Sequence, residues 1–180
     1  MLTLFRIALL PVLVVVFYWP EFNNQNVVLA SLYFIMGITD WFDGYLARVL
    51  NQQSDFGAFL DPVADKLTVS VALVLLVSAH PTVYMAIPAA IIIGREITIS
   101  ALREWMANIG DVKKVKVSII GKFKTAGQLW AIGFMLYEHD IGWFSPLQFG
   151  YILLYISAAL TLWSMVTYLI AAWPSLNKEG

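Results

Sequence analysis

Apolar residues in this chain come in long runs. Six stretches stand out: Leu2–Trp19, Val27–Leu50, Ala58–Ser78, Tyr84–Met106, Ile120–Tyr137 and Gly150–Trp173. Each is long enough, or nearly so, to cross a membrane as a helix, since about 30 Å of hydrocarbon takes roughly 20 residues at about 1.5 Å per residue. Short polar links separate them: Glu21–Asn26, Asn51–Gly57, Ala79–Thr82, Ala107–Ser118 and Glu138–Pro146. The runs lack the period-two alternation of half-buried strands, and inside lipid only helices or closed barrels satisfy every backbone polar group. The pattern predicts an all-α, polytopic membrane protein with six transmembrane helices, forming a single domain over residues 1–180. The first run has only Arg6 near its start and meets Pro20-Glu21 with no small-residue cleavage site behind it. It is expected to be a retained span and not a signal peptide.

The distribution of cations sets the expected orientation. The links around 20–26, 79–82 and 138–146 contain no Lys or Arg, whereas Arg6, Arg48, Lys113, Lys114, Lys116, Lys122, Lys124 and Lys178 fall toward the other side. The positive-inside rule then places both termini in the cytoplasm, consistent with an even number of spans. Trp19, Trp143 and Trp173 fall near predicted span ends, where aromatic side chains anchor at the interface or simply pack. Composition agrees: 60% of residues are apolar and 13% charged, against about 25% charged in soluble domains. The net charge is −1, and no nucleic-acid partner is expected. There is no cysteine, which excludes disulfides, thiolate catalysis and zinc-thiolate sites. Short loops and the lack of cysteine and targeting motifs suit a bacterial inner membrane.

The chemistry is concentrated where the second span ends and the third begins. Asp40 and Asp43 are three apart, and Asp61 and Asp65 four apart, so each pair shares a helix face. A short link makes the two helices an expected antiparallel hairpin, with four carboxylates converging at one level. Asp40 lies about 20 Å from the outer boundary, in the cytoplasmic half of the bilayer. Carboxylates at that depth repel one another and resist desolvation, so they take up protons or are held by a cation. Oxygen ligands suit Mg²⁺, Mn²⁺ or Ca²⁺, and two ions bridged by shared carboxylates would clamp an in-line displacement at phosphorus. Gly44 and Ala47 share the helix side of Asp40 and Asp43, where small residues let a bulky ligand or another backbone approach. Pro62 fits the first turn of a helix beginning near Asp61, or a kink just beyond it. The plainer alternative is a set of solvated helix-end carboxylates. Two face-sharing pairs with no paired basic partner argue against it.

The run Asp40-x2-Asp43-Gly44-x2-Ala47-Arg48-x8-Gly57-x3-Asp61-x3-Asp65 resembles the full signature of the CDP-alcohol phosphotransferases. Every fixed position is present at the family's spacing, over about a seventh of the chain. The six-span layout resembles the family throughout. Thr39 to Gly44, Gly94-Arg95-Glu96, Ser100 to Trp105 and Gly121-Lys122-x-Lys124-Thr125 are most similar to the branch that makes phosphatidylglycerophosphate. The resemblance implies that Asp40, Asp43 and Asp61 bind metal, and that Asp65 both contacts metal and acts as general base. It implies that two Mg²⁺ or Mn²⁺ ions take part, and that Gly44, Arg48 and Ser54 contact the CDP moiety. The family's first helix opens with a Pro-Asn-x-x-Thr-like motif that touches the nucleotide. Thr3 and Arg6 match it here, and the Pro-Asn would precede the first residue, so the chain is expected to be trimmed or shorter there. A homodimer among membrane lipids is also implied.

With that resemblance, the expected reaction transfers a phosphatidyl group from CDP-diacylglycerol to glycerol 3-phosphate at the cytoplasmic face. A phosphorylated acceptor needs two or three cationic donors near the metals. Arg95 and Arg103 are eight apart on the fourth span and share a face, and Lys122 and Lys124 open the fifth. Arg103, Lys122 and Lys124 are the expected contacts, with Arg95 next. Arg95 also has Glu96 beside it and Glu104 two turns on, as a structural ion pair would. Lys113, Lys114 and Lys116 read as lipid-facing or topogenic charges, and His80 and His139 as plain outer-loop residues. Inositol phosphate, serine or phosphatidylglycerol as acceptor would keep the aspartate signature. An intramembrane prenyltransferase usually needs more spans and other aspartate spacings. An ion transporter commonly shows internal repeats, which are absent here.

Overall fold

The structure is a computed structural model that describes residues 2–19, 24–50, 55–108 and 119–176. Within these it describes side chains except at 2, 41–50, 55, 58, 119–123, 172 and 174–176. The described residues form six helices: α1 (Leu2–Phe17), α2 (Gln25–Leu50), α3 (Asp55–Ala79), α4 (Val83–Asn108), α5 (Ile119–Tyr137) and α6 (Pro146–Leu176). They contain no strand; a single bridge pairs Ile141 with Phe144 in the α5–α6 turn. Every predicted helix is present. Phe59–Ala79, Val83–Asn108 and Pro146–Ala171 are long and apolar enough to cross a membrane, and Thr3–Phe17 is apolar but shorter.

Local chemistry sets the helix ends. The Gln25 amide donates to the carbonyls of Val16 and Phe17 at 2.8 and 2.6 Å, so the first residue of α2 caps the end of α1. Thr82 is the N-cap of α4, its hydroxyl accepting from the Met85 amide at 3.3 Å. Pro146 opens α6, where a missing amide hydrogen costs nothing. Pro62 corrects an expectation. Because α3 starts at Asp55, Pro62 is internal to the helix and not in its first turn. The carbonyl of residue 58 therefore loses its helical donor.

Neighbouring helices form a closed ring in the order α1, α2, α5, α6, α4, α3 and back to α1, with α3 and α5 also meeting across it. The link of the expected α2–α3 hairpin lies outside the described residues. Among the described residues, α1 packs on both α2 and α3 more extensively than these two pack on each other. The core is apolar, with Leu13, Tyr33, Met36, Leu73, Leu76, Met85, Ile92, Ile132, Met135 and Leu154 buried. Small residues bring α5 and α6 together: a Cβ on Gly127 would meet the Ser157 hydroxyl, and one on Gly150 would lie 3.0 Å from the Ala131 carbonyl oxygen. Outside, Val74, Ile97, Trp163 and Ile170 are exposed along the helices, as an apolar surrounding requires.

The ring has two chemically different ends. At one, the loops without Lys or Arg meet: His80 lies 3.7 Å from Glu138, and the Asn26 amide contacts both Glu138 and His139. The other end carries Asp40, Asp61 and Asp65.

Candidate active site

Helix α1 assembles the acidic centre. Arg6, 2% exposed, donates through Nη1 to Asp40 of α2 and through Nη2 to Asp61 of α3, the latter at 3.5 Å. Thr3, one turn earlier on α1, donates its hydroxyl to the same Asp61 oxygen. The two carboxylates remain half-exposed while the guanidinium is buried. This corrects the sequence reading of aspartates with no basic partner. The partner lies 34 and 55 residues away along the chain, on a third helix. One guanidinium offsets only part of the charge of the aspartates gathered on α2 and α3.

Asp65 follows Asp61 by one turn of α3 and is exposed. The charges of Asp40, Glu96 and Arg6 all reach it. Asp43, Gly44 and Arg48 lie on α2, one to two turns beyond Asp40; their side chains, and all of Ser54, are outside what the structure describes. Among the described residues no group of three or more His, Asp or Glu side chains forms a metal-binding cluster. The donors that are described still fit a hard divalent ion. Asp40 and Asp61, carboxylates from two helices, close on one cation, the guanidinium of Arg6, and every donor is oxygen.

Beside this centre lies a basic cluster on α4 and α5. Glu96 accepts from Arg95 Nη1 at 2.9 Å and from Lys124 Nζ at 2.5 Å, through the same oxygen. Arg95 and Lys124 are both buried. Helices α4 and α5 are not neighbours in the ring, and this long-side-chain contact ties them at the site end. Among the described residues, the Nε of Arg95 is buried with no hydrogen-bond partner, as is that of Arg6. Arg103 is exposed and reaches α6, where its Nη2 donates to the Tyr168 hydroxyl at 3.2 Å. The backbone of Lys122 lies in α5, but its side chain is not described, and Lys113, Lys114 and Lys116 lie outside the described residues. The structure thus brings together Thr3, Arg6, Asp40 and Asp61, with Arg95 and Lys124 joined through Glu96.

Two contacts were not anticipated, Ser164 and Tyr168 of α6. Their signal was available in the sequence: Thr161, Ser164 and Tyr168, at spacings of three and four, put a polar stripe on one face of an otherwise apolar span.

An all-helical membrane protein that sets facing carboxylates beside buried cations has the parts of an enzyme that handles phosphate groups at a membrane. The chain belongs to the CDP-alcohol phosphatidyltransferase family, whose sequence model matches residues 1–163. Relatives named CDP-diacylglycerol–glycerol-3-phosphate 3-phosphatidyltransferase align over nearly its whole length. The Haemophilus influenzae protein is 49% identical, covering 97% of this chain and 92% of its own. The Salmonella typhimurium protein is 51% identical, over 96% and 92% respectively. The Pseudomonas fluorescens protein is 47% identical, over 100% and 92%. Ser164 and Tyr168 lie just beyond the stretch matched by the family model.

Proposed function

We propose that this protein transfers the phosphatidyl group of CDP-diacylglycerol to glycerol 3-phosphate, giving phosphatidylglycerophosphate and CMP in phospholipid synthesis. The observation that carries the reading is the joint presence of the complete aspartate signature on α2 and α3 and, beside it, an Arg–Glu–Lys cluster whose two cations are buried. A neutral acceptor would not call for that cluster. The near-full-length similarity to enzymes named for this reaction supports the same acceptor.

In this reading Asp40, Asp43, Asp61 and Asp65 hold two divalent ions, Mg²⁺ or Mn²⁺, which when bound offset the charge of the diphosphate. Thr3, Arg6, Gly44, Arg48 and Ser54 contact the CDP-lipid. Arg103, Lys122, Lys124 and Arg95 receive the acceptor's phosphate. Asp65 takes the proton from the acceptor hydroxyl as its oxygen attacks the β-phosphorus in line. The new P–O bond forms as the bond to CMP breaks, and CMP leaves with the electron pair. The exposure of Asp65, beside a half-buried pair already facing a cation, supports its role as the group that meets an incoming hydroxyl.

The helices cross a bacterial inner membrane six times, with both termini and the site on the cytoplasmic side. The clustering of the cation-free loops at the opposite end supports this orientation. Assembly as a homodimer is carried by the family resemblance alone.

The test is incorporation of radiolabelled glycerol 3-phosphate into chloroform-soluble lipid by purified protein given CDP-diacylglycerol and Mg²⁺ or Mn²⁺. Label should appear with metal, vanish with EDTA and return with excess Mn²⁺. CMP release with inositol phosphate or serine, but not with glycerol 3-phosphate, would keep the reaction class and overturn the acceptor.

A further inference from the structure

The cations on the acceptor side are held by α6. Arg95 and Arg103, two turns apart on α4, both approach the ring of Tyr168, their guanidinium carbons 5.9 and 5.4 Å from its centroid. Arg103 also donates to the Tyr168 hydroxyl at 3.2 Å. Ser164, one turn earlier on α6, accepts from Arg95 Nη2 at 3.1 Å. The Ser164 hydroxyl itself donates to the Thr161 carbonyl at 2.9 Å, which leaves its lone pairs for the guanidinium.

Two guanidiniums that must serve one phosphate repel each other, and left alone they would swing apart. An aromatic face attracts both, and it is less costly to desolvate than a second carboxylate. Each arginine keeps donors in hand. A guanidinium has five N–H groups; the described contacts of Arg103 use one, and those of Arg95 use two, Nη1 to Glu96 and Nη2 to Ser164.

We propose that Tyr168 is a positioning residue of the acceptor site, holding Arg95 and Arg103 in register for the acceptor's phosphate monoester and so favouring a phosphorylated over an uncharged alcohol. The inference rests on the reading above that these arginines receive the acceptor phosphate. Glu96 and Ser164 hold Arg95 through hydrogen bonds, and Tyr168 touches both arginines.

The experiment compares initial rates of the full-length protein with Tyr168→Phe, Tyr168→Leu and Arg103→Gln. Each substrate is varied in turn, and glycerol is tried as an uncharged acceptor. Tyr168→Phe, which keeps the ring and loses the hydroxyl, should raise the KM for glycerol 3-phosphate about threefold. Tyr168→Leu should raise it about tenfold or more, with kcat and the KM for CDP-diacylglycerol within about twofold of the parent. The rate with glycerol should not fall, so discrimination narrows. An unchanged KM for glycerol 3-phosphate in Tyr168→Leu beside a raised one in Arg103→Gln overturns the role of Tyr168 and leaves the phosphate site standing. No change in either variant removes both. A general loss of kcat with a lowered melting point in Tyr168→Leu, beside parental kinetics in Tyr168→Phe, reduces Tyr168 to a packing residue and also overturns the proposal.

Discussion

Asp65 stands one helical turn from a carboxylate already engaged by Arg6 and Thr3, yet it is exposed where Asp61 is half-covered. A base must meet a hydroxyl that arrives with the second substrate, and exposure at the site is what that role needs. Asp65→Asn keeps the shape and removes the basicity. It should bind CDP-diacylglycerol normally and lose turnover by about 10²- to 10⁴-fold, as read from CMP release beside a lipid-binding titration. A near-parental rate at neutral pH would remove Asp65 from the proton transfer. At this scale the sequence was legible where function depends on local spacing. Pairs at i, i+3 and i, i+4 declare a shared face without any fold. It was not legible where a partner comes from elsewhere in the chain. Nothing near Asp40 or Asp61 points to Arg6, and the polar stripe of Thr161, Ser164 and Tyr168 on α6 does not declare which helix it faces. Those contacts exist only once α1 wedges between α2 and α3 and α6 lies along α4.

The helices themselves were readable nearly to their ends, because a run of apolar residues fixes both period and length. Their neighbours were not, since every lipid-crossing helix is apolar and could pack on any other. The ring order depends on contacts that only small residues permit, and the α5–α6 seam shows this most directly. Gly150 lies close to the backbone of α5. An added Cβ would sit 3.0 Å from the Ala131 carbonyl oxygen and 3.3 Å from the Met135 amide nitrogen, and neither backbone atom can rotate away as a side chain would. Gly150→Ala should therefore push α6 off α5 and cost about 1–3 kcal/mol. The expected readout is a lower denaturation midpoint in detergent, with the KM for both substrates retained, because the seam lies at the end away from the aspartates. A midpoint equal to or above that of the parent would mean the two helices slide apart without loss.

For the whole molecule, the site makes sense only if its end of the ring faces the compartment that supplies CDP-activated lipid and a charged, water-soluble acceptor. The two ends differ in charge. His80, Glu138, Asn26 and His139 join loops free of Lys and Arg at one end, while the cations on α4 and α5 belong to the other. Helix α5 decides the matter, since it alone separates Asn108 from Asp140 apart from the link before it. Its length, about 28 Å at 1.5 Å per residue, just reaches across the hydrocarbon layer. Its first turns carry Lys122 and Lys124, and the ammonium of Lys124 is held inward by Glu96. The chain has no cysteine, so single cysteines report without background. In intact cells a membrane-impermeant maleimide should label Asp140→Cys, and should label Asn108→Cys only after lysis. Labelling in the reverse order would turn the protein over and place the site outside the cytoplasm. Labelling of both from one side would mean that α5 does not cross. The ring would then have to hold Lys124 against Glu96 with α5 lying on the membrane, and exposed Trp130 would meet the interface and not the acyl chains.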